Sequence, residues 1–111
     1  MGSFVPDAGD IIWLHFSPQA GYEQAGHRPA VVLSSIEYNR RTGLCLCVPL
    51  TTRVKGYPFE VSIEGDQIQV ALADQIKSLD FKARKATKKG TVGHDELERI
   101  RDLAAVLIGF N

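Results

Sequence analysis

The sequence predicts a mainly β protein with an α-helical end: a small barrel or strongly bent antiparallel sheet, closed by one C-terminal amphipathic helix. Two patterns and a size limit predict it. From Asp10 to about Val92 the apolar residues come in short runs broken by Gly, Pro and polar turns, the mark of short strands. Beyond Gly93 the period changes: Leu97, Ile100, Leu103, Ala104, Leu107 and Ile108 fall on one helical face. The chain has 111 residues, 44% of them hydrophobic, which suits one domain spanning 1–111 with one core.

Taken in order, "DIIWLHF" (10–16) mixes an apolar pair with alternation and reads as a strand ended by Pro18 and Gly21. A loop runs to about Pro29. "AVVLS" (30–34) is a continuous apolar run, expected to be a central strand buried on both faces. Ser34 and Glu37 have capping-box spacing, so a helical turn should follow, stopped by Gly43. "LCLCVPL" (44–50) is a third strand, and Pro49 implies an edge, a bulge or an exit from the sheet. After a polar loop at 51–55, "YPFEVSI" (57–63) alternates as a strand. "EGDQ" is a turn, and "IQVALADQI" (68–76) is another strand. "SLDFKARKATKKGTV" (78–92) is either a final strand or an irregular arm. Asp95 and Glu96 stand in the first turn of the last helix, where the macrodipole favours acids. Five or six strands with one main helix give the small barrel.

No apolar run approaches the ~20 residues that cross a bilayer. The opening "MGSFVPDAGD" has neither a basic nor an apolar region of a secretory signal, so a cytoplasmic location is expected. Cys45 and Cys47, two apart in a strand, should point to one face as reduced core thiols. His15, His27 and His94 are scattered with no ligand spacing, so no metal and no cofactor is expected. Net charge is zero, but it is patterned. Residues 1–27 carry three acids and no Lys or Arg, residues 28–89 carry eleven bases and six acids, and residues 90–111 carry four acids and two arginines. A basic middle segment can hold a phosphate chain on a neutral protein, or it can be ordinary solvated lysine.

Nucleophile elbows, glycine-rich phosphate loops and H-E-x-x-H are missing. What remains are polar residues at strand ends, where loops commonly build sites. Glu23 and Arg28 precede the second strand, Thr51, Thr52, Arg53 and Lys55 follow the third, and Asp74, Gln75 and Lys77 close the fifth. RNA cleavage needs a base, a proton donor and groups that stabilise a phosphorane, because the 2′-OH is the nucleophile. Glu23, Thr51 and Arg28 suffice in kind. The competing reading is a surface salt bridge between Glu23 and Arg28, worth little.

The segments "PDAGDIIWLHFSP", "GYEQAGHRPAVVLS", "YNRRTGLCLCVPLTT", "KGYPFEV", "VALADQIKS" and "ARKATKKGTV" lie in family order across nearly the whole chain. On them the sequence resembles the MazF/PemK family of toxin endoribonucleases from toxin–antitoxin systems, and its MazF branch most. The resemblance implies an SH3-like barrel of the CcdB/PemK kind acting as a homodimer. It implies metal-independent, sequence-specific cleavage of single-stranded RNA to a 2′,3′-cyclic phosphate and a 5′-hydroxyl, arresting translation and growth. It also implies a small MazE-like antitoxin whose acidic and apolar tail lies across the basic groove. Arg28 of G-x-R-P and Thr51 of P-x-T match the family's catalytic positions, and Glu23 of E-Q-x-G matches its assisting or substrate-contacting acid. The turn at "EGDQIQ" is slightly shorter than in the family pattern, a difference on the rim.

Chemistry narrows these roles. A guanidinium is protonated at any working pH, so Arg28 is a poor base, suited to bracing phosphoryl oxygens or to donating a proton to the leaving 5′-oxygen. Glu23 is the natural base at neutral pH, a substrate contact, or the charge that holds Arg28 in place. Candidates for contacting RNA are Asn39, Thr52, Lys55, Tyr57, Phe59, Gln75, Lys77 and Arg84, with barrel-wall roles as the alternative for Tyr57 and Phe59. Lys85, Lys88 and Lys89 would add backbone attraction. Two further readings are a gyrase poison on the same fold and a non-catalytic RNA-binding barrel. Against the first, the chain ends "LIGFN" and its single tryptophan, Trp13, is in the first strand.

Overall fold

The computed structural model describes residues 4–16 and 26–110. Among them are seven strands and two helices: β1 (Asp10–Phe16), β2 (Gly26–Val32), α1 (Ile36–Thr42), β3 (Leu44–Thr51), β4 (Glu60–Ile63), β5 (Gln69–Leu72), β6 (Lys77–Asp80), β7 (Thr87–Thr91) and α2 (His94–Leu107). The strands form one antiparallel half-barrel sheet in the order β4-β5-β3-β2-β1-β7, with β6 also paired to β3. The basic segment after residue 76 is therefore two strands and a turn, one strand more than the periodicity suggested.

The expected central strand is β2, between β1 and β3, with Val31 and Val32 fully buried. Pro49 does not mark an edge. β3 pairs β6 through Leu44–Cys47 and β5 through Leu50 and Thr51, so Pro49 falls where that side of β3 changes partner and no N–H is asked of it there.

The alternation of β1, β2 and β3 sends side chains to two cores. Ile11, Val31, Val48 and Leu50 pack with Val61, Ile63, Leu97 and Ile100 beneath α2. Ile12, Leu14, Ala30, Val32, Cys45, Cys47 and Phe81 form the second cluster. Both cysteines are free and buried on one face, as their spacing predicts. A hydrogen bond with Cys45, reinforced by burial, holds the Cys47 thiol far above its ordinary value, so it stays neutral and inert.

At α1 the cap is Ser35, whose Oγ accepts from the Tyr38 N–H, and not Ser34 as the spacing suggested. Ser34 instead donates to Asn39 Oδ1 at 2.6 Å and accepts from the Leu46 N–H at 2.9 Å. Gly43 ends the helix at φ 75°, a left-handed position that favours glycine, and its N–H returns to Asn39 O. Asn39 itself is 0% exposed, and its amide donates to Pro6 O at 2.8 Å and Ser34 O at 3.1 Å. The expected RNA contact at Asn39 is therefore wrong: every polar atom of this side chain is used inside the protein.

The C-terminal helix α2 buries Leu97, Ile100 and Ala104 against the sheet. The Glu96 carboxylate accepts from the Gly93 N–H and from the Glu64 N–H, both at 2.7 Å, tying the helix start to the β4–β5 turn. Arg101 donates to Leu33 O at 2.6 Å. The end of the predicted apolar stripe is not covered: Leu107 and Ile108 are exposed, as are Val106 and Phe110. Among the described residues no helix is long and apolar enough to cross a membrane.

Candidate active site

Arg28 is the third residue of β2, inside the strand rather than before it. The β2–β3 register runs Val32↔Cys47, Val31↔Val48, Ala30↔Pro49. The ladder ends at Ala30↔Pro49, and Arg28 and Thr51 lie two residues beyond it on their strands, where both line one cleft. Fully buried neighbours along both strands hold this pair on rigid backbone, while Arg28 itself is exposed and Thr51 half-buried.

Two open clefts meet at Thr51. The larger, about 790 Å³, is lined by Arg28, Thr51 and Thr52 together with Trp13, His27, Lys89 and the β4–β5 turn. The smaller, about 310 Å³, is lined by Thr51, Arg53, Lys55, Tyr57, Phe59, Glu60, Leu72, Asp74 and Gln75. The strand-end residues chosen from sequence thus largely converge, with Thr51 on the wall shared by the two clefts. Tyr57 and Phe59 lie 5.3 Å apart with tilted rings, and Lys55 Nζ stands 5.8 Å above Tyr57. Tyr57 is half exposed and Phe59 less so, which gives the aromatic pair one wet face.

Other expectations are placed differently. Lys77 is exposed on β6 opposite Cys47, on the far side of β3 from β2 and outside both cleft walls. Arg84 is half-buried in the 81–85 turn, where its carbonyl accepts from the His15 N–H beside β1, away from the smaller cleft. Glu23 lies outside the described residues.

Sequence reading missed the group beside Arg28. The β1–β2 register sets His15 against His27, with Nδ1 of one 3.2 Å from Nε2 of the other. His27 also meets the Trp13 ring edge-on at 6.2 Å, and Lys89 Nζ stands 5.1 Å over the same ring. Spacing hid this cluster because the histidines are twelve apart in sequence. Folding the hairpin symmetrically about its loop would have paired them. Among the described residues no group of three or more His, Cys, Asp or Glu is placed to hold a metal.

A cation held by rigid strand, a hydroxyl in the same cleft, and an adjoining cleft that carries Arg53, Lys55 and an aromatic pair are the parts for gripping a phosphodiester. Residues 7–108 match the family described as the PemK-like, MazF-like toxin of type II toxin–antitoxin systems. Over 107 residues, 96% of each chain, the sequence is 61% identical to the endoribonuclease toxin MazF of Escherichia coli K12. It is 34% identical over 99 residues to the endoribonuclease toxin ChpB of the same organism, 83% of this chain and 84% of that one. A crystal structure of MazE–MazF from Deinococcus radiodurans superposes with a TM-score of 0.91 at 45% identity, covering 98% of this chain and all of that one. The chain belongs to the PemK-like, MazF-like family of type II toxins.

Proposed function

We propose that this protein is the toxin of a type II toxin–antitoxin system, a sequence-specific endoribonuclease that cuts single-stranded mRNA in the cytoplasm. The observation that carries the reading is the meeting of the two clefts at Thr51; on this reading the reacting phosphate sits beside Arg28 and the flanking bases run along Lys55, Tyr57, Phe59 and Gln75. In the reaction the substrate's 2′-oxygen loses its proton and attacks the adjacent phosphorus. The bond to the 5′-oxygen breaks, and that oxygen takes a proton from the Arg28 guanidinium, which solvent restores, giving a 2′,3′-cyclic phosphate and a 5′-hydroxyl. Arg28 stabilises charge on the non-bridging oxygens, and the Thr51 hydroxyl donates to one of them. Glu23 is assigned the first proton or the holding of Arg28. Thr52 adds a hydroxyl in the larger cleft, and Lys77 and Arg84 add charge further out.

Splayed bases would stack on Tyr57 and Phe59, which suits single strands and not an A-form helix. The partner on this reading is a MazE-like antitoxin, a protein that is bound to MazF in the Deinococcus relative. An acidic tail would occupy the same clefts as RNA, meeting Arg28, Arg53, Lys55 and Lys89. A homodimer would bury the exposed Val106, Leu107, Ile108 and Phe110.

The experiment is incubation of purified protein with a long mixed-sequence RNA in EDTA, followed by mapping of 5′ ends. Cuts confined to one short motif are expected. RNA binding with no cuts would favour a non-catalytic barrel, and an inhibited gyrase with intact RNA would favour the gyrase poison.

A further inference from the structure

We propose that Glu60 is a positioning residue for substrate recognition: its carboxylate clamps the backbone of the Lys55–Phe59 rim and so fixes the RNA-facing side of the smaller cleft. The inference rests on the endoribonuclease reading above and adds a residue to it. Glu60 is the first residue of β4 and half-buried. Its two oxygens accept from consecutive amides, Oε2 from the Lys55 N–H at 3.0 Å and Oε1 from the Gly56 N–H at 2.9 Å. Its own N–H donates to Tyr57 O at 3.1 Å. The rim is thus tied to β4 at three backbone positions, and Gly56 turns it at φ 80°. On the other side, Phe59 O accepts from the Ala73 N–H at 3.1 Å, joining the rim to the end of β5.

An acid in a cleft that also carries Arg53 and Lys55 opposes RNA binding by charge alone. Its placement makes physical sense through the two amides. Without the carboxylate, the bonds that hold residues 53–58 among the described residues are Val54 N–H to Thr52 O, Arg53 N–H to Thr51 Oγ and the backbone bond from Glu60 N–H to Tyr57 O, so the Lys55–Gly56 stretch loses its anchor. A loosened rim would have to be ordered by RNA at each binding event, which weakens binding and leaves the chemistry at Arg28 untouched. The two physical effects of removing Glu60 therefore have opposite signs: loss of the charge strengthens RNA binding, and loss of the clamp weakens it.

The test compares wild type with Glu60→Gln and Glu60→Ala. Gln keeps the shape, but its NH₂ would face a backbone N–H, donor against donor. Both variants should raise KM for an oligonucleotide carrying the mapped motif about tenfold, with kcat within about twofold of wild type. Both should speed amide exchange at Lys55 and Gly56 in the absence of RNA. Glu60→Asp, which keeps both oxygens on a shorter arm, should fall between and keeps the test open if Glu60→Ala does not fold. Unchanged exchange would overturn the clamp. Faster exchange with KM unchanged or lowered would overturn its role in recognition. A loss confined to kcat would make Glu60 part of the chemistry and overturn the positioning role. Because exchange is read without RNA, a wild-type protein that cuts no RNA would fail the function separately, and Glu60's role in recognition would go with it.

Discussion

Replacing Arg28 with alanine should lower the single-turnover rate of RNA cleavage by about 10³-fold, the scale of removing one preorganised group that stabilises transition-state charge. Melting temperature should stay close to wild type. The guanidinium is exposed, and the apolar packing of β2 comes from Ala30, Val31 and Val32, none more than 3% exposed. Arg28→Lys should recover only a small part of the rate. Lysine supplies the charge but not the planar fork that meets two phosphoryl oxygens together. Affinity for a non-cleavable RNA should fall much less than the rate, because Arg53, Lys55 and Lys89 still line the clefts. Parallel assays of single-turnover rate, anisotropy binding and thermal melting check the three parts. A rate within tenfold of wild type for Arg28→Ala would remove Arg28 from the centre of the site.

The second large effect is on stability. Asn39→Ala should destabilise the fold by about 3 kcal/mol, because it strands the buried carbonyl of Pro6, removes the partner of the half-buried Ser34 carbonyl and takes away the acceptor of the Ser34 hydroxyl. For a chain of this length that corresponds to a fall of roughly 12 °C in melting temperature. Asn39→Asp should be at least as harmful, since a carboxylate accepts where the site needs two donations and would carry a buried charge. Cleavage by the protein still folded at low temperature should be unchanged. Calorimetry and a rate assay at 15 °C separate the two: lost affinity for RNA with an unaltered melting temperature would restore Asn39 to the RNA surface.

These two residues show what the chain discloses about itself. The central strand that carries Arg28 was legible because a short apolar run bounded by turns has few alternatives, although the strand begins earlier than the run and takes in Arg28; the role given to Arg28 came from the family resemblance at G-x-R-P and not from the pattern. Asn39 was misread because an asparagine beside two arginines on a short helix looks solvated. Its burial depends on Pro6, 33 positions away, which no local pattern contains. The same limit explains the His15–His27–Trp13 group and the Glu60 clamp. The first depends on hairpin register, and the second on a side chain reaching back four and five residues to amides rather than to other side chains. Pro49 was read as an edge, a bulge or an exit from the sheet, and of the three it marks an exit: β3 leaves β6 for β5 across it.

The central claim is that Arg28 and Thr51 brace a phosphate attacked by the substrate's own 2′-oxygen. It is tested most directly by two oligonucleotides that carry the mapped motif and differ in one atom, the 2′-oxygen of the nucleotide before the cut. The account predicts that the all-ribose strand is cut to a 2′,3′-cyclic phosphate and a 5′-hydroxyl, while the strand with a single 2′-deoxy nucleotide binds and stays intact. Cleavage of the deoxy strand, or a 5′-phosphate on the product, would contradict it.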